Sequence, residues 1–425
     1  MCTLGKESKR LIKEKTAQNT SGKGFKPNIW YLLSAVGMGG AEKRFIKMAS
    51  EIAKKGWFDE INIVLNKEVY LSYLKDSECC DKIQGKDLKI HIYENYSKKF
   101  PSNRFQVKIN KKIYRFVKSN KLKQLLYKYF SWYAVLKKLI PENDILHAVY
   151  GDPAQNGAIL LANKRCNKCI LEVTSPRDIS KRKYEQYSSL IDRLSSNQFT
   201  ILCVSKVVYN VFKELLSREN SQNWKLDFYR GPLLEEGVGI KDVNKIPKNN
   251  TIVFAHRFIS AKNGVLFAKV IASVINKAEM INWRVLFLGK GSEEESIKKI
   301  LQEKIRENIV EVRWSDNLDQ ELKKSKIFVS IISTGNIPSQ SLFTSMKYGD
   351  LLLLSDTGNT KEIVGEHNGI VYSEINPNSL RENLLYLVDI CNLNKITSYQ
   401  EEVLKSYSHI IDNQDYFSVL EEIYR

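Results

Sequence analysis

Six short apolar runs between Thr251 and Tyr372 constrain this chain more than any other feature. Thr251–Ala255, Arg284–Leu288, Ile309–Val312, Ile327–Ile332, Leu351–Ser355 and Gly369–Tyr372 read as strands, several of them near-continuous Val, Ile, Leu and Phe. Runs of that kind suit strands covered by helices on both faces, and helical patterns lie between them. An earlier series repeats the scheme. Asn28–Ser34, Glu60–Leu65, Leu88–Tyr93, Asp144–Val149, Lys168–Thr174 and Phe199–Val204 read as strands, most of them followed by helical periodicity. Strands alternating with helices imply parallel pairing and right-handed crossovers.

The two series are separated by GPLLEEGVGIKDVNKIPKNN, Gly231 to Asn250, rich in Gly, Pro, Asn and charge, which reads as an interdomain linker. A length of 425 residues exceeds one ordinary core and agrees with two domains. The expected fold class is therefore α/β, with two Rossmann-like doubly wound domains facing a cleft. Expected bounds are a mobile basic tail at 1–27, domains at 28–235 and 236–377, and C-terminal helices at 378–425. In such sheets ligands bind beyond the carboxyl ends of the strands.

Those ends carry the candidate chemistry. Strand Ile327–Ile332 runs into STGN, and Pro338-Ser-Gln-Ser341 opens a helix that stops at Gly349. Ser339 or Ser341 can cap that helix, whose free first-turn amides attract phosphate. Strand Leu351–Ser355 runs into Asp356-Thr-Gly-Asn-Thr360 ahead of another short helix. Arg257 and Lys262 follow strand Thr251–Ala255, where they are placed to clamp a diphosphate. Gly289-Lys-Gly291 adds a glycine turn but lacks the remainder of a dinucleotide fingerprint.

The second domain resembles that of retaining, two-domain glycosyltransferases of family 4, the GT-B architecture. Arg257 with Lys262-Asn263 is similar to the family's G-R-x(4)-K-N, and Leu286-Phe-Leu-Gly289-Lys-Gly291 to its V-x-x-G-x-G. Leu342-Phe-Thr-Ser-Met346-Lys-Tyr-Gly349 is similar to L-x-E-A-M-x-x-G, and Asp356-Thr-Gly358-Asn-Thr-Lys-Glu362-Ile-Val364 to T-x-x-G-x-x-E-I-V. In the first domain Gly37-Met-Gly39-Gly40-Ala41-Glu42 resembles a GGAE loop, Asp144-Ile-Leu-His147 a D-x-x-H strand end, and Val204-Ser205 a closing V-S. The resemblance spans about Asn28 to Ser373.

The resemblance implies sugar transfer from a nucleotide-diphosphate donor, without cofactor, to a glycan or lipid-linked acceptor, as in surface polysaccharide or glycolipid synthesis. Arg257, Lys262 and His147 would be catalytic. Gly39, Gly40, Gly289, Gly291, Asn336, Ser341, Leu342, Thr344, Gly358 and Glu362 would hold the donor. It also implies that some helices after Asn378 pack back on the first domain. Departing diphosphate needs positive charge, and no Asp-x-Asp is present to hold a metal in its place. The family's two glutamates, seven residues apart, are replaced by Asn336 and Thr344, which hydrogen-bond but carry no charge. Its histidine after the fifth strand is absent from Thr174-Ser-Pro-Arg-Asp178, where Ser175, Arg177 or Asp178 is left to contact substrate. The alternative is a noncatalytic GT-B relative that binds nucleotide or glycan.

Charge points to a surface. Of the net +18, Ser97–Lys138 supplies 13 basic residues and no acidic one, interleaved with aromatics such as Phe105, Tyr114, Tyr127 and Trp132. That pattern suits an anionic membrane surface, nucleic acid, or a solvated helical face. No nucleic-acid motif accompanies it. A G-x-G-x-x-G is missing after either leading strand, which disfavours a dinucleotide oxidoreductase. No run of about 18 apolar residues is present, and the N-terminus is a poor signal peptide. Seven scattered cysteines, with Cys166-Asn-Lys-Cys169 a lone pair, fit reduced thiols better than disulfides or zinc. The expectation is a cytoplasmic protein, peripheral on the inner membrane face.

Overall fold

The structure of the protein, a computed structural model, describes residues 26–33, 40–66, 88–93, 136, 139–149, 166–173, 199–217, 224–229, 237–333, 335, 339–393, 395–413 and 415–425. Two parallel sheets organise it. The first contains β1 (Ile29–Leu33), β2 (Ile61–Asn66), β3 (Leu88–Tyr93), β4 (Ile145–Val149), β5 (Lys168–Val173), β6 (Phe199–Cys203) and β7 (Trp224–Phe228). Their order is β3-β2-β1-β4-β5-β6-β7. The second contains β8 (Thr251–Ala255), β9 (Arg284–Leu288), β10 (Val310–Arg313), β11 (Ile327–Ser330), β12 (Leu351–Ser355) and β13 (Ile370–Ser373), in the order β10-β9-β8-β11-β12-β13.

Both sheets reverse direction of winding next to their first strand, between β1 and β4 and between β8 and β11. At such a switch point adjacent loops leave toward opposite faces and open a crevice. The expected α/β fold with two Rossmann-like domains is what the chain adopts. One strand was not read from the sequence: β7, Trp-Lys-Leu-Asp-Phe, lies at a sheet edge and, among the described residues, pairs only with β6. Its alternation of large apolar and charged residues is that of a half-buried strand.

Alternate residues of β8 face opposite sides, as the period of two requires. Ile252 and Phe254 join the core under helices Gly264–Val274 and Pro377–Asn392. Val253 and Ala255 join the core under helices Gln340–Lys347 and Ile396–Asp412. The linker is fastened from Gly237 onward. Val238 N donates to Lys347 O at 3.1 Å. Buried Lys248 pairs with Asp350 and donates to Ser325 O at 2.8 Å. Burial pushes the Asp350 carboxyl up to about 6 despite that lysine.

The last helix, Tyr416–Tyr424, leaves the second domain. Tyr416, Leu420, Ile423 and Tyr424 lie in the first domain's core with Tyr31, Phe45 and Ile52. Cys169 is buried at the start of β5, and Cys166, Cys169, Cys203 and Cys391 are free thiols. Among the described residues, no helix is long and apolar enough to cross a membrane. The tail at 1–25, the basic segment through residue 135, and Ser175, Arg177 and Asp178 lie outside the described residues.

Candidate functional site

At the second switch point three loops converge. The first leaves β8. Arg257 is exposed there and has no ion-pair partner among the described residues. Lys262 closes the single turn Ser260–Lys262 and is half-buried. Asn263 takes the left-handed conformation at φ 56°, which Asn tolerates better than most residues. Its amide nitrogen donates to Ile331 O at 2.7 Å and to Ser333 Oγ at 2.9 Å. Ser333 N donates back to Ala261 O at 3.0 Å. The loop that carries both cations is thereby tied to the end of β11.

The second and third loops leave β11 and β12. Thr357 Oγ1 donates to Ile332 O at 2.7 Å, and Ile332 N donates to Ser355 Oγ at 2.9 Å. Gly358 turns at φ 66°. A Cβ at Gly335 would stand 3.6 Å from Gly358 Cα, so the two loops lie side by side. Helix Gln340–Lys347 begins here, capped by Ser339, whose Oγ accepts from Leu342 N at 3.4 Å. Leu342 is therefore already satisfied at its amide, and its side chain is 0% exposed. The amides of Gln340 and Ser341 have no acceptor in the first turn. Thr344 Oγ1 donates to Gln340 O at 2.9 Å, so its proton is spent inside the helix. Asn336, its neighbours Ile337 and Pro338, and Gly39 lie outside the described residues.

The glycines of the β9 loop lie hard against the backbone of the β8 loop. A Cβ on Gly289 would stand 1.9 Å from His256 O, and one on Gly291 2.3 Å from Phe258 O. Phe258 N donates to Lys290 O at 2.9 Å, and Glu293 N to Phe258 O at 3.0 Å. Beneath this junction His256 is buried and its Nε2 lies 3.3 Å from Val329 O. Burial, and then the charge of Lys262, push its imidazole down to about 3, so it stays neutral.

Glu362 follows the β12 loop on the helix Thr360–Val364. It is exposed and pairs at 3.5 Å with Lys206, the first residue of the first-domain helix Lys206–Ser217. The pair borders a cavity of about 360 Å³ between the domains, lined also by Phe228, Asn359 and His409.

In the first domain Gly40 starts the helix Gly40–Lys55. His147, a catalytic candidate by sequence, is 0% exposed. Its Nδ1 lies 2.7 Å from the Tyr424 hydroxyl, and its Nε2 3.6 Å from Glu172 Oε2. Glu172 also pairs with Arg44, which bonds the Tyr229 hydroxyl. Burial holds His147 below its ordinary value. Arg44 and His147 together draw the Glu172 carboxyl down against the cost of burial. His147 thus sits in a buried network and is not brought to the cleft surface with Arg257. Sequence reasoning missed Lys206, Arg44, Glu172 and Tyr424. For Arg44 and Glu172 the only linear signal was a charge in an otherwise apolar helix face or strand, and Tyr424 had none.

Residues 249–389 match the family model described as Glycosyl transferases group 1. No curated protein is a significant match to the sequence. In three dimensions the chain is similar to a mutant of TarM from S. aureus in complex with fondaparinux, alpha-GlcNAc-glycerol and UDP. That likeness has a TM-score of 0.63 at 13% identity and covers 94% of this chain and 100% of that one. It is also similar to Anabaena HepE in complex with UDP and glucose, with a TM-score of 0.60 at 13% identity, covering 93% and 98%. A glycosyltransferase from Rickettsia africae has a TM-score of 0.58 at 15% identity, covering 94% and 98%. The chain has the two-domain fold of GT-B glycosyltransferases, and its second domain carries the match to Glycosyl transferases group 1.

Proposed function

We propose that the protein is a glycosyltransferase of the retaining, metal-independent type, taking a hexose from a nucleotide-diphosphate donor to a glycan or lipid-linked acceptor. The observation that carries this reading is the tie between the loops after β8, β11 and β12, the first of which carries Lys262 and an exposed Arg257 without an ion-pair partner among the described residues. As the bond from sugar to phosphate breaks, charge builds on the departing diphosphate. Arg257, Lys262 and the Gln340 and Ser341 amides would stabilise that charge. The UDP held by TarM and HepE supports a uridine nucleotide as the first donor to try. The segment Ser97–Lys138 would hold the enzyme on anionic lipid at the inner face of a membrane, where surface polysaccharide or glycolipid acceptors are built.

The second reading, a noncatalytic binder, draws on the uncharged Asn336 and on Thr344, whose hydroxyl is committed to its own helix. The transferase reading requires diphosphate binding and turnover, whereas the binder allows nucleotide or glycan binding without turnover. Uridine and guanosine diphosphates at about 100 times their dissociation constant should stabilise the fold by about 2.7 kcal/mol. For a domain of this size that raises the melting temperature by roughly 2–4 °C per kcal/mol. Arg257→Ala with Lys262→Ala should abolish the shift, whereas Thr344→Ala should leave most of it. No shift with any nucleotide diphosphate would sink the nucleotide-sugar reading and favour the noncatalytic binder. A shift without donor hydrolysis or transfer would favour the binder.

A further inference from the structure

Tyr31 on β1, His147 on β4 and Glu172 on β5 lie on one face of the first sheet. Tyr31 is in register with His147, and Glu172 lies two residues beyond Ile170, the partner of His147 on β5. Two helices bring side chains to this face: Gly40–Lys55 supplies Arg44, and Tyr416–Tyr424 supplies Tyr424. All five groups are buried. The protons can be assigned from the geometry. His147 Nε2 faces the carboxylate of Glu172 at 3.6 Å, too far for a hydrogen bond, and the negative charge there favours the proton on Nε2. Nδ1 then accepts from the Tyr424 hydroxyl at 2.7 Å, and Tyr424 accepts from Tyr31 at 3.1 Å. Glu172 in turn holds Arg44, one turn after the first residue of its helix.

The final helix is bound more tightly than a surface helix would be. Tyr416 stacks edge-on against Tyr229 at 4.6 Å, and Tyr424 against Phe58 at 5.3 Å. Lys168 Nζ donates to Ile423 O at 3.0 Å. Yet this helix follows Ile396–Asp412, which belongs to the second domain's core. The chain therefore returns from the donor-side domain to complete a polar network inside the other.

We propose that the chain Tyr31–Tyr424–His147–Glu172–Arg44 is a positioning device. Through it the C-terminal helix holds the first turns of the helix Gly40–Lys55 in place. The proposal rests on the glycosyl-transfer reading for its consequence, though not for its physical content. Tyr424, His147, Glu172 and Arg44 are positioning residues, since none reaches the cleft.

The test uses the full-length protein with Tyr424→Phe, which keeps the ring in the core and removes only the hydroxyl. Leu420→Ala in the same helix is the comparison, because it removes buried volume without touching the network. Hydrogen exchange in the amides of Gly40–Lys55 should accelerate about tenfold in Tyr424→Phe, as expected when a local anchoring bond is lost. Turnover should fall about tenfold while uridine diphosphate affinity stays within about twofold, since that site lies in the other domain. Leu420→Ala should spare turnover at temperatures well below its melting point. Unchanged exchange in Tyr424→Phe would overturn the proposal, as would an equal loss of turnover in Leu420→Ala. If the unmutated protein neither binds nucleotide nor turns over, the glycosyl-transfer reading fails, and the exchange experiment still decides the coupling.

Discussion

His256 shows how far burial moves one side chain. Its pKa falls from 6.5 to about 3, first by burial and then by the charge of Lys262. The folded protein thus holds this ring neutral while the unfolded chain protonates it below about 6.5. A depressed folded value means full stability above pH 6.5 and a loss as pH falls from 6.5 toward 3. The slope is about 1.4 kcal/mol per pH unit for each such group. His147 shifts in the same direction. Urea midpoints measured at pH 7.5, 6.5 and 5.5 should therefore decline. His256→Phe, which can pack with Phe254 and Phe328, should flatten part of that decline. An unchanged slope in the variant would show that His256 does not titrate as its burial requires. Neither histidine's state was legible in sequence, because burial depends on what other elements bring to the ring.

At the scale of elements, the loops after β8 and β9 behave as one unit. Their glycines read in sequence as a phosphate-type turn, yet the space a side chain would need is filled by backbone. With Gly289's Cβ position 1.9 Å from the carbonyl of His256, any larger residue must push the β8 loop away. Gly289→Ala should cost about 1–3 kcal/mol, the range for overpacking a filled site. It should also weaken nucleotide binding, because the displaced loop carries Arg257 and Lys262. Ser292→Ala, exposed in the same turn, should do neither. Thermal unfolding with and without uridine diphosphate checks both effects. A Gly289→Ala protein with ordinary stability would refute the interlock. The cap at Ser339 is the converse case: serine just before an apolar helix is a local signal, so it could be read directly.

For the whole molecule, charge and topology work over longer distances. Thirteen uncompensated bases in Ser97–Lys138 predict binding to anionic vesicles that weakens with salt, since exposed charges are screened over about 8 Å at physiological ionic strength. Co-sedimentation with anionic and neutral vesicles across a salt series measures it. Equal binding to neutral vesicles, or none to anionic ones, would count against membrane seating.

Apolar periodicity was enough to read twelve of the thirteen strands among the described residues, the parallel winding and the two-domain division. These follow from contacts between residues close in sequence, where strand length, helix period and turn residues act locally. The edge strand β7 was passed over although its apolar and charged residues alternate with a period of two, because the run is only five residues long. The cations at Arg257 and Lys262 could be named because a strand's carboxyl end is itself a local feature. The partners of His147, Glu362 and the glycines at 289 and 291 come from elsewhere in the chain. His147 meets Tyr424 across 277 residues, Glu362 meets Lys206 in the other domain, and Gly289 meets a carbonyl from the preceding strand's loop. A side chain's partner, burial and charge state depend on groups that only the folded chain brings together, and no linear pattern records them.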